Sequence, residues 1–571
     1  MKNWRFYTLV FFIGLIFFII IFRLFSLQVL KHSFYKTLAA NQHQTFQTIY
    51  PSRGEIFMKD KHTNSDSLSL LFPVAINKDF WTVYAIPKEI ENKEETVKKL
   101  SPLLEVEEEI LRERINKVDD PYEPLKNKVD EDAVNKIKEL NINGINFEKE
   151  SWRYFPANEL ACHLIGFVGF KGDQKAGRYG LEEYYEDELA GKPGFIEAKK
   201  DSLGQLISVG DRILSQPEEG VDLILTIDPN IQFFVEEKLK EKIEFLQATS
   251  GTVIVIEVKT GAIKAMANWP NYNPNKYNEV KNVNLFLNPA ISEAFEPGSI
   301  FKAITMAGAL DEGAVEPNTI YEDKGFVEIS GHIVKNALER AEGTQTMTQV
   351  LEKSLNSGAI FAQQRLGKDD FKKYVEKFGL GQKTGIDLSG EEKGNIFNLK
   401  KKKDLEYATA SFGQGIAVTS LQLVATFAAI ANDGVLLKPY VVEKVIYKNG
   451  EEKITKPEEI RRVISSETAS RLTAMLVSVV KNGYAKKAGV SGYSIAGKTG
   501  TAQIPDLETG GYSEETIHTF GEFFPAYSPH FAMLIKVDKP KTIRFAADSI
   551  TPLARQLAEY ILNYYEIPPS Q

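Results

Sequence analysis

Cysteine is almost missing from this chain, with Cys162 the one example in 571 residues. A single thiol can close no internal disulfide and can build no cysteine-based zinc site. Histidine is scarce too, at seven residues, and there is no G-x-S-x-G elbow to carry a histidine-activated serine. A dense basic stripe is also lacking: 69 basic residues face 77 acidic ones, for a net charge of −8, and the longest basic run is Lys400 to Lys403. That balance argues against nucleic acid as the main partner, and the run itself reads as a solvated loop. After residue 30 no long apolar stretch occurs, so a second membrane span is excluded.

What is present is a folded, multidomain composition. The chain exceeds the size of one typical core, and its 43% hydrophobic and 26% charged residues are globular values. Residues 6–22, FYTLVFFIGLIFFIIIF, carry no charge. At about 1.5 Å rise per residue they cover most of a hydrocarbon core of about 30 Å, and Arg23 can snorkel while LFSLQVL completes the span. No small-residue cleavage site follows, so residues 1–30 read as a cytoplasmic tip and an uncleaved anchor. Lys2 and Arg5 before the span, against Arg23 and Lys31 after it, give a slight preference for an inside N-terminus. Everything after residue 30 then lies on the extracytoplasmic side of the cell membrane.

Two textures divide the remainder. Residues 31–220 are rich in Lys and Glu, with helical stretches such as IPKEIENKEETVKKL and DEDAVNKIKEL whose charges recur at i, i+3 and i+4. From 221 to 571 the pattern turns to GTVIVIEV and AIKAMANW around a Lys259-Thr260-Gly261 turn, then Ala-rich helices, then strands, then a closing helix LARQLAEYILNYY. Hairpin, helices, strands and helix predict an α+β domain, with an antiparallel sheet flanked by helices.

Ser-x-x-Lys occurs three times, at Ser33, Ser299 and Ser478. Chance alone supplies such matches, but the flanks differ. Pro297 and Gly298 open a helix at Ser299, which places the serine in a first turn with unpaired N–H groups and a favourable dipole for negative charge. Lys302 shares its face and has an apolar helix body behind it, a setting in which an amine loses its proton more easily and serves as a base. Downstream stand Ser354-Leu355-Asn356, the sole Ser-x-Asn, and Lys498-Thr499-Gly500-Thr501 in a small-residue strand AGKTGTA. There the absent side chains would let a peptide lie against the strand edge. Lys-Thr-Gly recurs at 259 and 383, where a hairpin turn and a loop glycine explain it. Ser-x-x-Lys, Ser-x-Asn and Lys-Thr-Gly in that order are the signature of penicillin-recognising serine enzymes.

With Arg53-Gly54-Glu55-Ile56, GRYGLEEYYEDELAGKPG, FEPGSIFK, SLN, SFGQGIAVTSLQL, AGKTGTAQ and FFPAYSPHFAMLIKVDKPK, the chain resembles a class B penicillin-binding protein, a monofunctional peptidoglycan D,D-transpeptidase of the division type. The resemblance implies a transmembrane anchor at 1–30, a pedestal of the penicillin-binding protein dimerisation type at 31–220, and a β-lactamase/transpeptidase-like domain at 221–571. It implies that Ser299 attacks the penultimate D-alanine of a stem peptide with Lys302 as base, that Ser354 and Lys498 relay a proton, and that Ser299 and Thr501 N–H groups form the oxyanion hole. Asn356, Thr499, Gly500 and Thr501 would bind substrate. It calls for no metal and no cofactor. Implied partners are D-Ala-D-Ala stem peptides, β-lactams, the membrane, a polytopic peptidoglycan glycosyltransferase and other division proteins. Leu355 within Ser-x-Asn departs mildly from the pattern, and residues 57–90 follow it loosely. Two other readings stay open: a D,D-carboxypeptidase or β-lactamase, differing in what resolves the acyl-enzyme, and a non-catalytic β-lactam sensor or division scaffold.

Overall fold

The alternation of β-branched and small residues in GTVIVIEV and AIKAMANW begins the sheet on which the candidate site is built. In the computed structural model, residues 44–63, 68–117, 120–172, 174–199, 214–506 and 510–569 are described, together with Gly14, Phe17, Phe18, Ile20 and Ile21. Apart from those five helical residues the apolar segment at 6–22 lies outside the described residues, as does Ser33-x-x-Lys36. Among the described residues no helix is long and apolar enough to cross a membrane.

Residues 1–53 with 190–220 form one unit, in which strands Gln44–Ile49, Gly194–Lys199 and Leu214–Ser215 make a three-stranded antiparallel sheet. The other unit comprises 54–189 and 221–571. Its first part pairs the 14-residue strand Phe72–Ala85 with Glu123–Val129 and Ile145–Tyr154. Helices Lys93–Leu104, Glu108–Ile115 and Glu131–Glu139 accompany them, and a small core of Val83, Val97, Leu100, Leu111 and Val134 forms. The first of these helices begins later than the charge pattern over 86–100 suggests. Asn92 is the reason: its side chain accepts from the Glu95 N–H at 3.2 Å and ends the preceding turn as an N-cap. Residues 57–90, loosely patterned in sequence, thus hold the longest strand of this part.

At the boundary read at residue 220, strand Asp222–Leu225 runs parallel to Ile56–Met58 and antiparallel to Val442–Ile446. A mixed seven-stranded sheet therefore draws strands from both sides of that boundary.

Helix α1 (Pro229–Leu246) follows, with Pro at N1 and the Asp228 carboxylate accepting from Asn230 and Ile231 N–H groups. Then come β1 (Ser250–Glu257) and β2 (Ile263–Trp269), joined as expected through a turn with Gly261 at φ +81°. Next are α2 (Lys302–Asp311), α3 (Asn356–Leu366), α4 (Ser420–Ala431) and α5 (Ser466–Lys481). The chain closes with β3 (Ala496–Pro505), β4 (Tyr512–Phe524), β5 (Phe531–Asp538) and α6 (Thr551–Tyr564). The five strands pair antiparallel in the order β2-β1-β5-β4-β3, which leaves β3 at an edge.

Both faces of this sheet are covered. On one, a Cβ on Gly251 would meet Ile243 and Leu239 of α1 at 2.7 and 3.0 Å, and Phe234 of α1 stacks on Tyr560 of α6. On the other, a Cβ on Gly521 would sit 2.8 Å from Phe427 of α4 and 2.9 Å from Ile300. All twelve residues of α4 are buried, as befits a helix whose side chains are apolar apart from Ser420, Gln422 and Thr426.

Candidate active site

The approach to Ser299 is a single 3-10 turn, Gly298–Phe301, that runs into α2. This geometry explains the three-residue spacing. With 3.0 residues per turn, residues i and i+3 eclipse, so Lys302 stands directly above Ser299. Gly298 sits at φ +63°, and a Cβ there would lie 2.9 Å from the Ala502 Cβ. Its N–H donates to the Gly413 carbonyl at 3.1 Å, within the SFGQG segment. The nucleophile turn is thus clamped between β3 and that loop. Ser299 is half-buried, whereas Lys302 is 1% exposed.

Lys302 Nζ lies 3.0 Å from Ser299 Oγ, 2.6 Å from the Ser354 carbonyl oxygen, 2.7 Å from Asn356 Oδ1 and 3.4 Å from Ser354 Oγ. A neutral amine has two N–H bonds and one lone pair. The Ser354 carbonyl and Asn356 Oδ1 are acceptors and take the two hydrogens, so the lone pair falls to Ser299. Burial pushes the Lys302 amine well below the ordinary lysine range, and the Lys498 charge adds to the effect.

Lys498, fully buried on β3, donates to Ser354 Oγ at 2.9 Å and to the Thr499 carbonyl at 3.0 Å. Burial lowers it to about 7. Ser354 Oγ therefore lies within reach of both amines. Ser354 itself occupies the left-handed region at φ +55°, where a side chain is strained. Its carbonyl is held there by Lys302.

The structure brings Ser299, Lys302, Ser354, Asn356 and Lys498 into one cluster. The pleat of β3 divides the remaining residues. Lys498 and Gly500 pair with Gly521 and Thr519, while Thr499 and Thr501 pair with Phe520 and His518 on the opposite face. Lys498 reaches the cluster because its face is the one covered by the nucleophile turn. The place of a Cβ on Gly500 is occupied by Thr519 Oγ1, the Pro297 carbonyl and the Ile300 nitrogen, at 2.3, 2.8 and 3.1 Å. The side chain is absent there so that the nucleophile turn can pack, rather than to admit a peptide.

Thr499 is buried, and Thr501 is the more exposed of the two. Thr501 Oγ1 accepts from the Ala546 N–H at 3.1 Å, and its own proton remains available to a further acceptor. Asn356 keeps one amide hydrogen after donating the other to the Lys335 carbonyl at 2.9 Å. As the second residue of a 3-10 turn, Ser299 has no intrahelical acceptor for its N–H. β3 is an edge strand, so alternate N–H groups along it face away from β4.

Two groups at the site escaped sequence reasoning. Glu296 accepts from the Gly415 N–H and the Tyr512 hydroxyl, each at 3.0 Å, and so ties the start of β4 to the residue two before Gly298. Asn336, 18 residues before Ser354, accepts from the Asn356 and Ser357 N–H groups at 2.9 and 3.1 Å. No spacing signal marks either. Among the described residues, the remaining motif copies at 259, 383 and 478 are structural, as their flanks suggest. Ser478 Oγ bonds the Glu352 carboxylate rather than Lys481, and Thr384 and Gly385 bond Glu391. Among the described residues no cluster of His, Cys, Asp and Glu could hold a metal ion.

A helix-borne serine with a desolvated lysine above it, beside an edge strand of a five-stranded sheet, defines a class: serine acyltransferases of the penicillin-recognising type. Comparison with known sequences agrees. Residues 251–559 match the penicillin-binding protein transpeptidase domain, and residues 48–225 match the penicillin-binding protein dimerisation domain. The chain belongs to the class B penicillin-binding proteins. It is 32% identical over 526 residues to stage V sporulation protein D of Bacillus subtilis, covering 91% of this chain and 79% of that protein. It is 30% identical over 575 residues to the peptidoglycan D,D-transpeptidase FtsI of Buchnera aphidicola, covering 99% and 96%. Among solved structures, penicillin-binding protein 3 of Mycobacterium tuberculosis complexed with aztreonam superposes with a TM-score of 0.71 at 25% identity, over 92% of this chain and 98% of that one.

Proposed function

We propose that this protein is a serine-type peptidoglycan D,D-transpeptidase that cross-links stem peptides and is acylated by β-lactams. The observation that carries the reading is the placement of Lys302 Nζ 3.0 Å from Ser299 Oγ with its other positions filled by neutral acceptors. Ser299 Oγ attacks the penultimate D-alanine carbonyl carbon while Lys302 takes the hydroxyl proton. The oxyanion sits between the N–H groups of Ser299 and Thr501. The C–N bond to the terminal D-alanine breaks, and its nitrogen receives a proton through Ser354 Oγ and Lys498. An acceptor amine then attacks the ester, and Ser299 recovers its proton. The Lys498 charge with the Thr499 and Thr501 hydroxyls binds the terminal carboxylate beside Gly500, and the spare Asn356 N–H meets the peptide backbone.

The division-type reading, with a septal role, a single-pass anchor, an extracytoplasmic catalytic domain, and a polytopic glycosyltransferase among other division proteins as partners, is supported by the apolar segment at 6–22 and by the sequence likeness to FtsI and the sporulation protein.

Intact mass spectrometry of the purified chain after incubation with a penicillin tests the proposal. One stoichiometric adduct, absent from Ser299→Ala, is expected. Persistence of the adduct over hours separates a transpeptidase from a β-lactamase. No adduct on folded protein would overturn the catalytic reading in favour of a scaffold.

A further inference from the structure

The catalytic turn Ser354-Leu355-Asn356 begins α3, yet the residue at its N-cap, Leu355, has no side chain able to bond the first N–H groups. Those groups are satisfied from elsewhere. Asn336, which follows the strand His332–Lys335 of a separate hairpin, aims Oδ1 at the Asn356 N–H (2.9 Å) and the Ser357 N–H (3.1 Å). This is the bond pattern of an N-cap, supplied across space by a residue 20 positions upstream.

Asn336 is itself fixed. Its Nδ2 donates to both carboxylate oxygens of Asp323, at 3.0 and 3.1 Å. Asp323 further accepts from Ser357 Oγ at 2.6 Å, the Glu342 N–H at 2.9 Å and the Gly325 N–H at 3.1 Å. Asp323, Asn336 and Ser357 are 1%, 4% and 3% exposed. Burial pushes the Asp323 carboxyl up, but the hydrogen bonds from Ser357, Glu342, Gly325 and Asn336 outweigh it and leave it below the ordinary carboxylate range. The carbonyl of Lys335, the residue next to Asn336, takes the Asn356 Nδ2 hydrogen and thereby turns Asn356 Oδ1 toward Lys302.

We infer that Asn336, braced by Asp323, is a positioning residue for acylation: it caps α3 in place of Leu355 and so holds the strained Ser354 and the Asn356 amide at the distances Lys302 and Lys498 require. The physical reason for the displaced cap is economy of space. Ser354 and Asn356 must both face the lysines, so the intervening residue turns the other way into the core, where Leu355 is 5% exposed. An apolar residue there packs but cannot cap. The helix terminus then depends on a neighbour, and the catalytic turn becomes coupled to the hairpin Phe326–Ile329 with His332–Lys335.

The inference rests on Ser299 being the acylated group, which the Ser299→Ala mass experiment decides independently. The test is stopped-flow acylation of the full chain by a chromogenic β-lactam, resolved into the dissociation constant of the first complex and the acylation rate constant, with folded protein counted by thermal melting. Asn336→Ala is expected to lower the acylation rate constant by about 10- to 100-fold, the scale of a displacement of about 1 Å in a reacting group, with the dissociation constant within about 3-fold of the parent. The exchange pair Asp323→Asn with Asn336→Asp restores one donor-acceptor bond and puts a carboxylate on the helix N-terminus, and is expected to recover about 10-fold of the loss. Glu339→Ala, which breaks the exposed Lys335–Glu339 ion pair on the same hairpin, is expected to leave acylation unchanged. An acylation rate constant for folded Asn336→Ala within about 2-fold of the parent would overturn the inference. So would a loss in Glu339→Ala equal to that in Asn336→Ala, because hairpin disruption would then suffice. If Asn336→Ala does not fold, Asn336→Ser serves. Its shorter side chain stays polar but withdraws the acceptor from the Asn356 and Ser357 N–H groups, and a rate constant within about 2-fold of the parent in it would equally sink the inference.

Discussion

Two regions of this molecule bury cations and treat them in opposite ways. Beneath strand Ile145–Tyr154, the Arg153 guanidinium meets the Glu182 carboxylate at 2.6 Å and the Gly54 carbonyl at 2.7 Å, with the two side chains 3% and 0% exposed. At the active site, Lys302 and Lys498 are just as buried, but their hydrogen-bond partners among the described residues are hydroxyls, an amide and carbonyls, with no carboxylate among them. Side-chain type and counterion together make the difference. A guanidinium stays charged wherever it is buried, and with a carboxylate beside it serves the fold; an amine held by neutral acceptors alone is desolvated and gives up its proton more easily than an ordinary lysine. The same burial thus yields structure in one place and chemistry in the other.

Converting the second region into the first gives the largest expected effect. Asn356→Asp sets a carboxylate where Oδ1 lies 2.7 Å from Lys302 Nζ. An opposite charge at that range raises the lysine by about 1–3 pH units, which shifts the rising limb of the acylation profile up by that amount and, where the two limbs then overlap, lowers the maximum rate constant by up to about 10- to 1000-fold. A rate constant insensitive to the substitution from pH 6 to 10 would show that Lys302 is not the base. Converting the first region toward the second costs stability instead. Glu182→Ala removes the carboxylate that the buried Arg153 meets at 2.6 Å and should destabilise the chain by about 3–5 kcal/mol in denaturant titration, with the acylation rate of the remaining folded protein unchanged.

The pH profile sharpens the contrast further. Acylation needs neutral Lys302, pushed well below the ordinary lysine range by burial, and charged Lys498, lowered to about 7. The rate should rise with pH as Lys302 loses its proton and decline above about 7 as Lys498 loses its own, a bell whose limbs belong to the coupled pair. A profile that keeps rising to pH 10 would remove the requirement for charged Lys498.

A third buried titratable group gives the smallest effect. Glu522 on β4 is fully buried, and neither carboxylate oxygen has a hydrogen-bond partner among the described residues. Burial pushes it well above the ordinary range. Its folded state therefore holds a proton that the unfolded chain releases, and stability should decline as pH rises above the ordinary carboxyl range. Glu522→Leu should flatten that decline and stabilise the protein by about 1–3 kcal/mol at pH 8, read by thermal melting across pH. A less stable Glu522→Leu at every pH would mean that packing rather than charge dominates there.

Much of this was legible in sequence. The order Ser299, Lys302, Ser354, Asn356, Lys498 survives any folding of the chain, and the hairpin turn at Gly261, the strand at 496–505 and the closing helix at 551–564 follow from local pattern and glycine placement. The late start of helix Lys93–Leu104 depended on one asparagine, and a charge pattern cannot register it. What sequence determined, then, was which residues carry the chemistry, because residue type and short spacing act through local geometry such as the three-residue repeat of a 3-10 turn. What only the tertiary structure decided was their electrical state and their support. The burial of both lysines away from carboxylates, the left-handed Ser354, the packing reason for Gly500 and the cap supplied by Asn336 all arise from contacts between segments far apart in the chain, and desolvation is a property of those surroundings rather than of any residue alone.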